Sequence, residues 1–226
     1  MKLRFLGTGA ADWGDVTGHT DRDHRRLSSA AVDDILLIDP GPCVREFART
    51  FGYDLHQIKY VINTHPHGDH FNADTLDYLK SLGAEYIDCA AGNVYEIGGY
   101  TVTALPGNHG TATRVQHFVI DDGGTKLFYA LDAAWLLYEE FQYIRKNRIA
   151  LAVFDGTIGE AEGDYRIFEH NNLRMVREMK LTLAPYIERF YISHLARTLH
   201  PSHDEVAASL EKDGIGAAYD GLLLEF

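Results

Sequence analysis

The sequence predicts an α/β fold of two sheet lobes, with a chemical site where strands end. Three observations predict it. Short β-branched and aromatic runs alternate with stretches of helical spacing. Each half of the chain runs strands, then a helix, then a strand ending in a histidine or aspartate. One stretch, Thr64-His65-Pro66-His67-Gly68-Asp69-His70, packs three histidines and a carboxylate into the six residues from His65 to His70.

The chain has 226 residues, of which 46% are hydrophobic and 24% charged, enough for one substantial core. No linker divides it, so one domain over residues 1–226 is expected. The formal net charge of −12 repels polyanions and disfavours general nucleic-acid binding. Cys43 and Cys89 are too few for a disulfide framework and read as small buried hydrophobes. Met1 to Leu6 is too short an apolar run for a secretory signal, and no run approaches the roughly 20 apolar residues of a membrane span. A cytoplasmic location without membrane contact is therefore expected.

The elements follow in order. Met1 to Leu6 alternates as a strand, and Gly7-Thr8-Gly9-Ala10 turns tightly; without a third glycine or a following helix it is no dinucleotide fingerprint. Residues 11–29 form a polar insert, read as a solvated loop or as a lid whose arginines grip an anion; its spacing supports no metal site. Ser29–Val32 and Ile35–Asp39 pair as strands across Asp33-Asp34, and Val44 to Phe51 reads as a helix. Lys59 to Asn63 is a strand that delivers the histidine-rich stretch. A helix from Asn72 to Leu82 ends at Gly83. Short strands follow at 86–87, 94–97 and 100–105, with Gly98-Gly99 as a hairpin turn. Val115–Asp121 and Thr125–Leu131 form another hairpin, and Ala133 to Arg145 looks helical. Ile149 to Phe154 is a buried strand, Leu173 to Lys180 a helix, and Tyr186 to Ile192 the last long strand. Ser202 caps a final helix, with Glu205 completing a capping box. Residues 216–219 and 222–226 are short end segments.

The ligand-type residues sit at the ends of these strands. Imidazole and carboxylate together suit a borderline divalent ion. Alternation in a tight loop sends His65 and His67 one way and Asp69 and His70 another, so the stretch reads as two adjacent metal positions. His109, in a glycine-rich loop after a strand, supplies the third ligand the first ion needs. Asp132 ends an apolar strand and reads as a carboxylate bridging two metals rather than as a helix cap. His194 again ends a strand. Asp39 is either a turn or capping residue, or an acceptor for a metal-bound histidine.

The order and spacing of His65, His67, Asp69, His70, His109, Asp132 and His194 resemble those of the metallo-β-lactamase superfamily. Phe-Leu-Gly-Thr-Gly at the start and Leu-Ile-Asp-Pro-Gly at 37–41 extend the resemblance over nearly the whole chain. It implies a four-layer αββα sandwich with two divalent metal ions, zinc or manganese, with iron also suited to the donors. By motif position, His65, His67 and His109 would hold one ion, Asp69, His70 and His194 the other, and Asp132 would bridge. The ions would share a hydroxide that attacks the substrate.

Within the superfamily the chain is most similar to the phosphodiesterase branch, which includes ribonuclease Z and the phosphoribosyl 1,2-cyclic phosphate phosphodiesterases. The opening, the aspartate at position 132, and Asp155 in Phe-Asp-Gly-Thr with His170 in His-Asn-Asn-Leu carry that likeness. It implies that His170 protonates the leaving oxygen while Asp155 orients it, with Asp69 both ligand and catalytic residue. Residues 11–29 hold no cysteine, so the structural zinc of the phosphonate-pathway enzymes is not expected, and no basic arm for transfer RNA is found.

The expected activity is hydrolysis of a small or cyclic phosphodiester. Alternatives on the same fold are cleavage of a lactone or thioester, or RNA processing; a non-catalytic metal-binding module is disfavoured. The expected partner is a small phosphorylated substrate, and homodimer formation is left open. Arg22, Arg25, Arg26, Arg114 and Arg197 are candidates for holding substrate phosphate, though spacing singles out none of them.

Overall fold

A computed structural model describes residues 1–226. The strands are β1 Lys2–Gly7, β2 Ser29–Val32, β3 Leu36–Ile38, β4 Tyr60–Ile62, β5 Glu85–Tyr86, β6 Val94–Ile97, β7 Tyr100–Pro106, β8 Gln116–Asp121, β9 Lys126–Ala130, β10 Ile149–Asp155, β11 Ile187–Ser193, β12 Ile215–Ala217 and β13 Leu223–Glu225. The α-helices are α1 Val44–Phe51, α2 Ala73–Ser81, α3 Tyr138–Lys146, α4 Leu173–Leu183 and α5 His203–Glu211.

The strands form two sheets, ordered β13-β1-β2-β3-β4-β5 and β12-β11-β10-β9-β8-β7-β6. In the first, β3, β4 and β5 run parallel. In the second, β9 to β12 run parallel, whereas β6 to β9 form an antiparallel meander. Strand periodicity explains the layers. Successive side chains point to opposite faces, so a strand covered on both sides is apolar throughout. Leu36 and Ile38 face the gap between the sheets, where they join Phe5, Ile62, Phe118, Tyr129 and Val153. Leu37 faces the other way, against Val44 and Phe47 of α1 and Leu76 and Leu79 of α2. On the second sheet, Leu151 and Val153 face the gap while Ala152 and Phe154 pack against α3, α4 and α5 through Ile144, Val176 and Leu210. The result is helices, sheet, sheet, helices: the expected αββα sandwich. Truncating a fully buried phenylalanine such as Phe47 to alanine would cost ~3–5 kcal/mol. No helix is long and apolar enough to cross a membrane.

One expectation is corrected and one alternative reading is set aside. The helix expected from Ala133 begins at Tyr138, because Asp132 and Trp135 take left-handed backbone, at φ 58° and 48°, and Ala134 N–H is tied to Asn108 O at 3.1 Å. Asp132 thus caps nothing, and its side chain is free for the site.

The insert of residues 11–29 is no lid gripping an anion through its arginines. Arg26 is fully buried, with Nε on Glu46, Nη1 on Asp220 at 3.2 Å and Nη2 on His19 O at 2.9 Å. Arg25 donates to Thr8 Oγ1, Ala218 O and His203 Nδ1 at 2.9, 2.7 and 3.1 Å. Buried guanidinium groups need such partners, and these bind the insert to the body. Gly7 serves a close approach: a Cβ there would stand 1.9 Å from Leu27 O.

Candidate metal centre

The site is assembled at the C-terminal ends of strands from both sheets. The loop after β4 carries His65, His67, Asp69 and His70; those after β7, β9 and β11 bring His109, Asp132 and His194. Three of the six non-glycine residues with positive φ lie here, Asp39 at 64°, Asp132 at 58° and His194 at 60°. Asp39 and His194 are the first residues after their strands and Asp132 the second after its own. Such conformations persist where the surroundings over-determine them, and they cluster at functional sites.

The seven residues converge as two groups. His65, His67, His109 and Asp132 bring ligand atoms within 4.8 Å of one another, and so do Asp69, His70, Asp132 and His194. Asp132 is common to both. Its Oδ2 lies 3.0 Å from His65 Nε2, 3.1 Å from His70 Nε2 and 3.6 Å from His194 Nε2. His67 Nδ1 and His109 Nε2 are 3.1 Å apart, and His194 Nε2 is 3.2 Å from Asp69 Oδ2. His65 Nε2, His70 Nε2 and Asp132 Oδ1 are buried yet meet no partner with hydrogen-bond geometry. Native proteins rarely leave such atoms unsatisfied, so the donor set fits divalent metal ions. His19, Asp21 and His24 also bring ligand atoms together on the insert, with Asp21 exposed.

An outer ring of groups fixes the histidines. His70 Nδ1 donates to Asp39 Oδ2 at 2.8 Å, and Asp39 also accepts from Thr64 N–H at 2.7 Å. This decides the alternatives for Asp39 in favour of orienting a site histidine. His194 Nδ1 donates to Thr157 Oγ1 at 2.7 Å, and Thr157 donates to Asp155 Oδ2 at 3.0 Å. Both arrangements leave Nε2 facing the centre. His109 Nδ1 sits 3.1 Å from Glu169 O and 3.1 Å from its Oε2. Sequence reasoning missed Thr64, Thr157 and Glu169. Thr64 and Glu169 adjoin the named His65 and His170, and Thr157 lies two residues after Asp155, which was the only available signal.

Asp155 is wholly buried at the end of β10, and its Oδ2 lies 2.9 Å from His170 Nδ1. His170 Nδ1 is also 3.0 Å from Asp132 Oδ1. Burial pulls the His170 imidazole down, but Asp155 and Asp132 outweigh it and raise its pKa to about 10. Burial likewise opposes, and Asp132 and Asp155 bring about, a rise at His194 to about 9. Burial and the neighbouring His70 lower His65 to about 4. Burial favours neutral Asp69, Asp132 and Asp155, but the surrounding histidines hold all three well below the usual carboxylate range.

His67, Asp69, His109, Asp132, Thr157, His170 and His194 line a cavity of about 260 Å³. None of the five candidate arginines is among the residues that line it. Arg25 and Arg26 are used inside the fold, Arg114 pairs with Asp88 at 2.9 Å, Arg22 lies over the Tyr219 ring at 4.5 Å, and Arg197 Nε donates to Asp12 O at 3.2 Å. The cationic wall residue is instead Arg166.

Residues 31–74 match the metallo-beta-lactamase superfamily model. Solved structures extend the likeness to the whole chain. A diphosphatase of the PhnP family matches 100% of this chain and 97% of its own, with 21% identity and a TM-score of 0.74. The metallo-beta-lactamase fold protein YhfI from Bacillus subtilis matches with 17% identity, a TM-score of 0.78, and 100% and 99% coverage.

The chain has the metallo-β-lactamase fold.

Short-form human tRNase Z shares that fold too, with 15% identity, a TM-score of 0.70, and 100% and 99% coverage. No curated protein sequence matches the chain. The metallo-β-lactamase fold accounts for the strand ends converging at one edge of the two sheets, where the His/Asp clusters fit divalent metal binding.

Proposed function

We propose that the chain is a dinuclear metal-dependent hydrolase of small or cyclic phosphodiesters. His65, His67 and His109 would hold one ion, Asp69, His70 and His194 the other, with Asp132 serving both. Zinc and manganese suit these donors, and iron also fits them. Divalent ions bound in such a pair polarise a phosphoryl oxygen and lower the pKa of water toward about 7.

The observation that carries the phosphodiester reading is the Asp155–His170 pair. His170 stands on the cavity wall, 3.0 Å from the shared Asp132, with Asp155 buried behind it; the pair gathers with Asp132 and His194 but lies outside the two ligand sets assigned above. Asp155 accepts from His170 Nδ1, which leaves Nε2 to donate a proton. Asp155 is itself immobilised by Thr157 N–H and Asn171 N–H at 2.9 and 3.1 Å. A charged imidazole on a fixed carboxylate suits protonation of a departing alkoxide, the difficult part of cleaving an alkyl phosphodiester. Asp69 lines the cavity, 3.2 Å from His194 Nε2, and would be the carboxylate beside the attacking water. The PhnP-family diphosphatase and tRNase Z, by their names, act on phosphate-containing substrates, in accord with this reading. A cavity of about 260 Å³ in a chain of net charge −12 favours a small substrate over RNA.

The test is hydrolysis of bis(p-nitrophenyl) phosphate and cyclic phosphodiesters by the metal-loaded protein, beside a lactone and thioester panel. Turnover of the phosphodiesters is expected. Full metal occupancy with cleavage confined to lactones or thioesters, or with none at all, overturns the reading.

A further inference from the structure

The cavity wall holds a single lysine or arginine, Arg166. It stands on a 3-10 turn, Tyr165–Phe168, just before His170. Asp164 holds the guanidinium through Nε at 2.9 Å and Nη2 at 2.6 Å, which fixes its plane and leaves Nη1 without a protein partner. A guanidinium oriented from one edge, with a free donor at a cavity, is suited to an anionic oxygen.

The same turn exposes two aromatic rings, Tyr165 at 81% and Phe168 at 76%. A singly exposed aromatic needs no explanation, but two within four residues beside that arginine do. The Arg166 guanidinium carbon lies 5.9 Å from the Tyr165 ring centroid, so that ring adjoins the arginine outside the cavity lining. Exposed rings beside a phosphate-binding cation form a platform on which a nucleobase can stack.

We infer that the turn Tyr165–Phe168 is the substrate-recognition element of the site, with Arg166 taking phosphate oxygens and the aromatic rings stacking on a base, so that the substrate is a mononucleotide-type phosphodiester. This rests on the phosphodiesterase reading above and names its substrate class. The cavity of about 260 Å³ has room for one phosphate with its immediate substituents, and a base would have to extend past Arg166 to meet the rings.

The test uses metal-loaded protein and two substrates with one leaving group, thymidine 5′-(p-nitrophenyl phosphate) and methyl p-nitrophenyl phosphate. The nucleoside ester should have a kcat/KM about tenfold higher, the size of one base–aromatic stack. Tyr165→Ala combined with Phe168→Ala should bring that ratio close to one. Tyr138→Ala, which removes an exposed ring on α3, should leave it unchanged. Arg166→Gln should raise KM for both esters about tenfold with little change in kcat. A parent ratio of one, or a ratio that survives the double variant, overturns the assignment.

Calorimetric binding of adenosine 5′-monophosphate against ribose 5-phosphate provides a readout independent of turnover. Tighter binding of the nucleotide, lost in the double variant, supports the recognition element even if neither ester is cleaved; in that case only the phosphodiesterase reading falls. Equal binding of the two probes overturns the recognition element even where the esters are cleaved.

Discussion

Asp39 Oδ2 accepts a hydrogen bond from His70 Nδ1 at 2.8 Å, between two residues that are both wholly buried and 31 positions apart. The bond fixes the ring so that Nε2 faces Asp132 and Asp69. Partners of this kind typically change metal affinity 10–100-fold. Asp39→Asn keeps the shape and removes the charge, so its affinity for the ion at His70 should fall about tenfold or more. Chelator competition measures it, and parent-like affinity would remove Asp39 from the site.

His170→Ala should retain both metals, since His170 belongs to neither ligand set. Turnover should fall by about 10²–10⁴ for phosphodiesters with alkoxide leaving groups and much less for p-nitrophenolate, which departs without a proton. Metal content and a leaving-group series separate the outcomes. A uniform loss across the series would assign His170 to binding or structure.

In the metal-free protein, carboxylates raise His194 to about 9 and His170 to about 10, above the ordinary value of 6.5. Folded values above unfolded ones contribute stability that is fully present below about 6.5 and is lost as pH rises through about 9 and then 10. The melting temperature of metal-free protein should therefore decline across that window. A divalent ion competes with the protons at the ligand histidines, so loading near pH 7 should release protons and flatten the decline. Calorimetry in buffers of different ionisation enthalpy counts the protons.

His203 titrates in the opposite sense. Burial, with Arg25 and Arg22 nearby, lowers its pKa to about 4 from the ordinary 6.5. Its Nδ1 lies 3.1 Å from Arg25 Nη2 and accepts from it, which only a neutral ring can do. The unfolded chain therefore binds the proton first, and stability should be lost as pH falls from about 6.5 to about 4. His203→Gln should shrink that acid-limb slope by about one proton, read from denaturant midpoints against pH. An unchanged slope would show that other groups carry it.

Much of the fold was legible because its signals are local. The α1 helix runs from Val44 to Phe51 as read, and Gly52 ends it in left-handed conformation at φ 66°. Gly98 and Gly99 turn the β6–β7 hairpin with positive φ. Ser202 and Glu205 start α5, with Ser202 N–H donating to Glu205 at 3.1 Å. The start of α3 was misread because helical spacing after Asp132 is matched by residues that a long-range bond to Asn108 holds out of the helix.

The sequence by itself determined which residue types stand at the strand ends, because strand, turn and ligand spacing are set within a few residues. Only the tertiary structure decided which of them meet. Parallel pairing of β9, β10 and β11 brings Asp132, Asp155 and His194 to one edge, and packing of the other sheet sets His65 and His70 against them. It also decided the arginines. Arg25 and Arg166 look alike in a sequence, but one is shut inside the fold beside His203 and the other faces the cavity, because charge is local and access to a site is not.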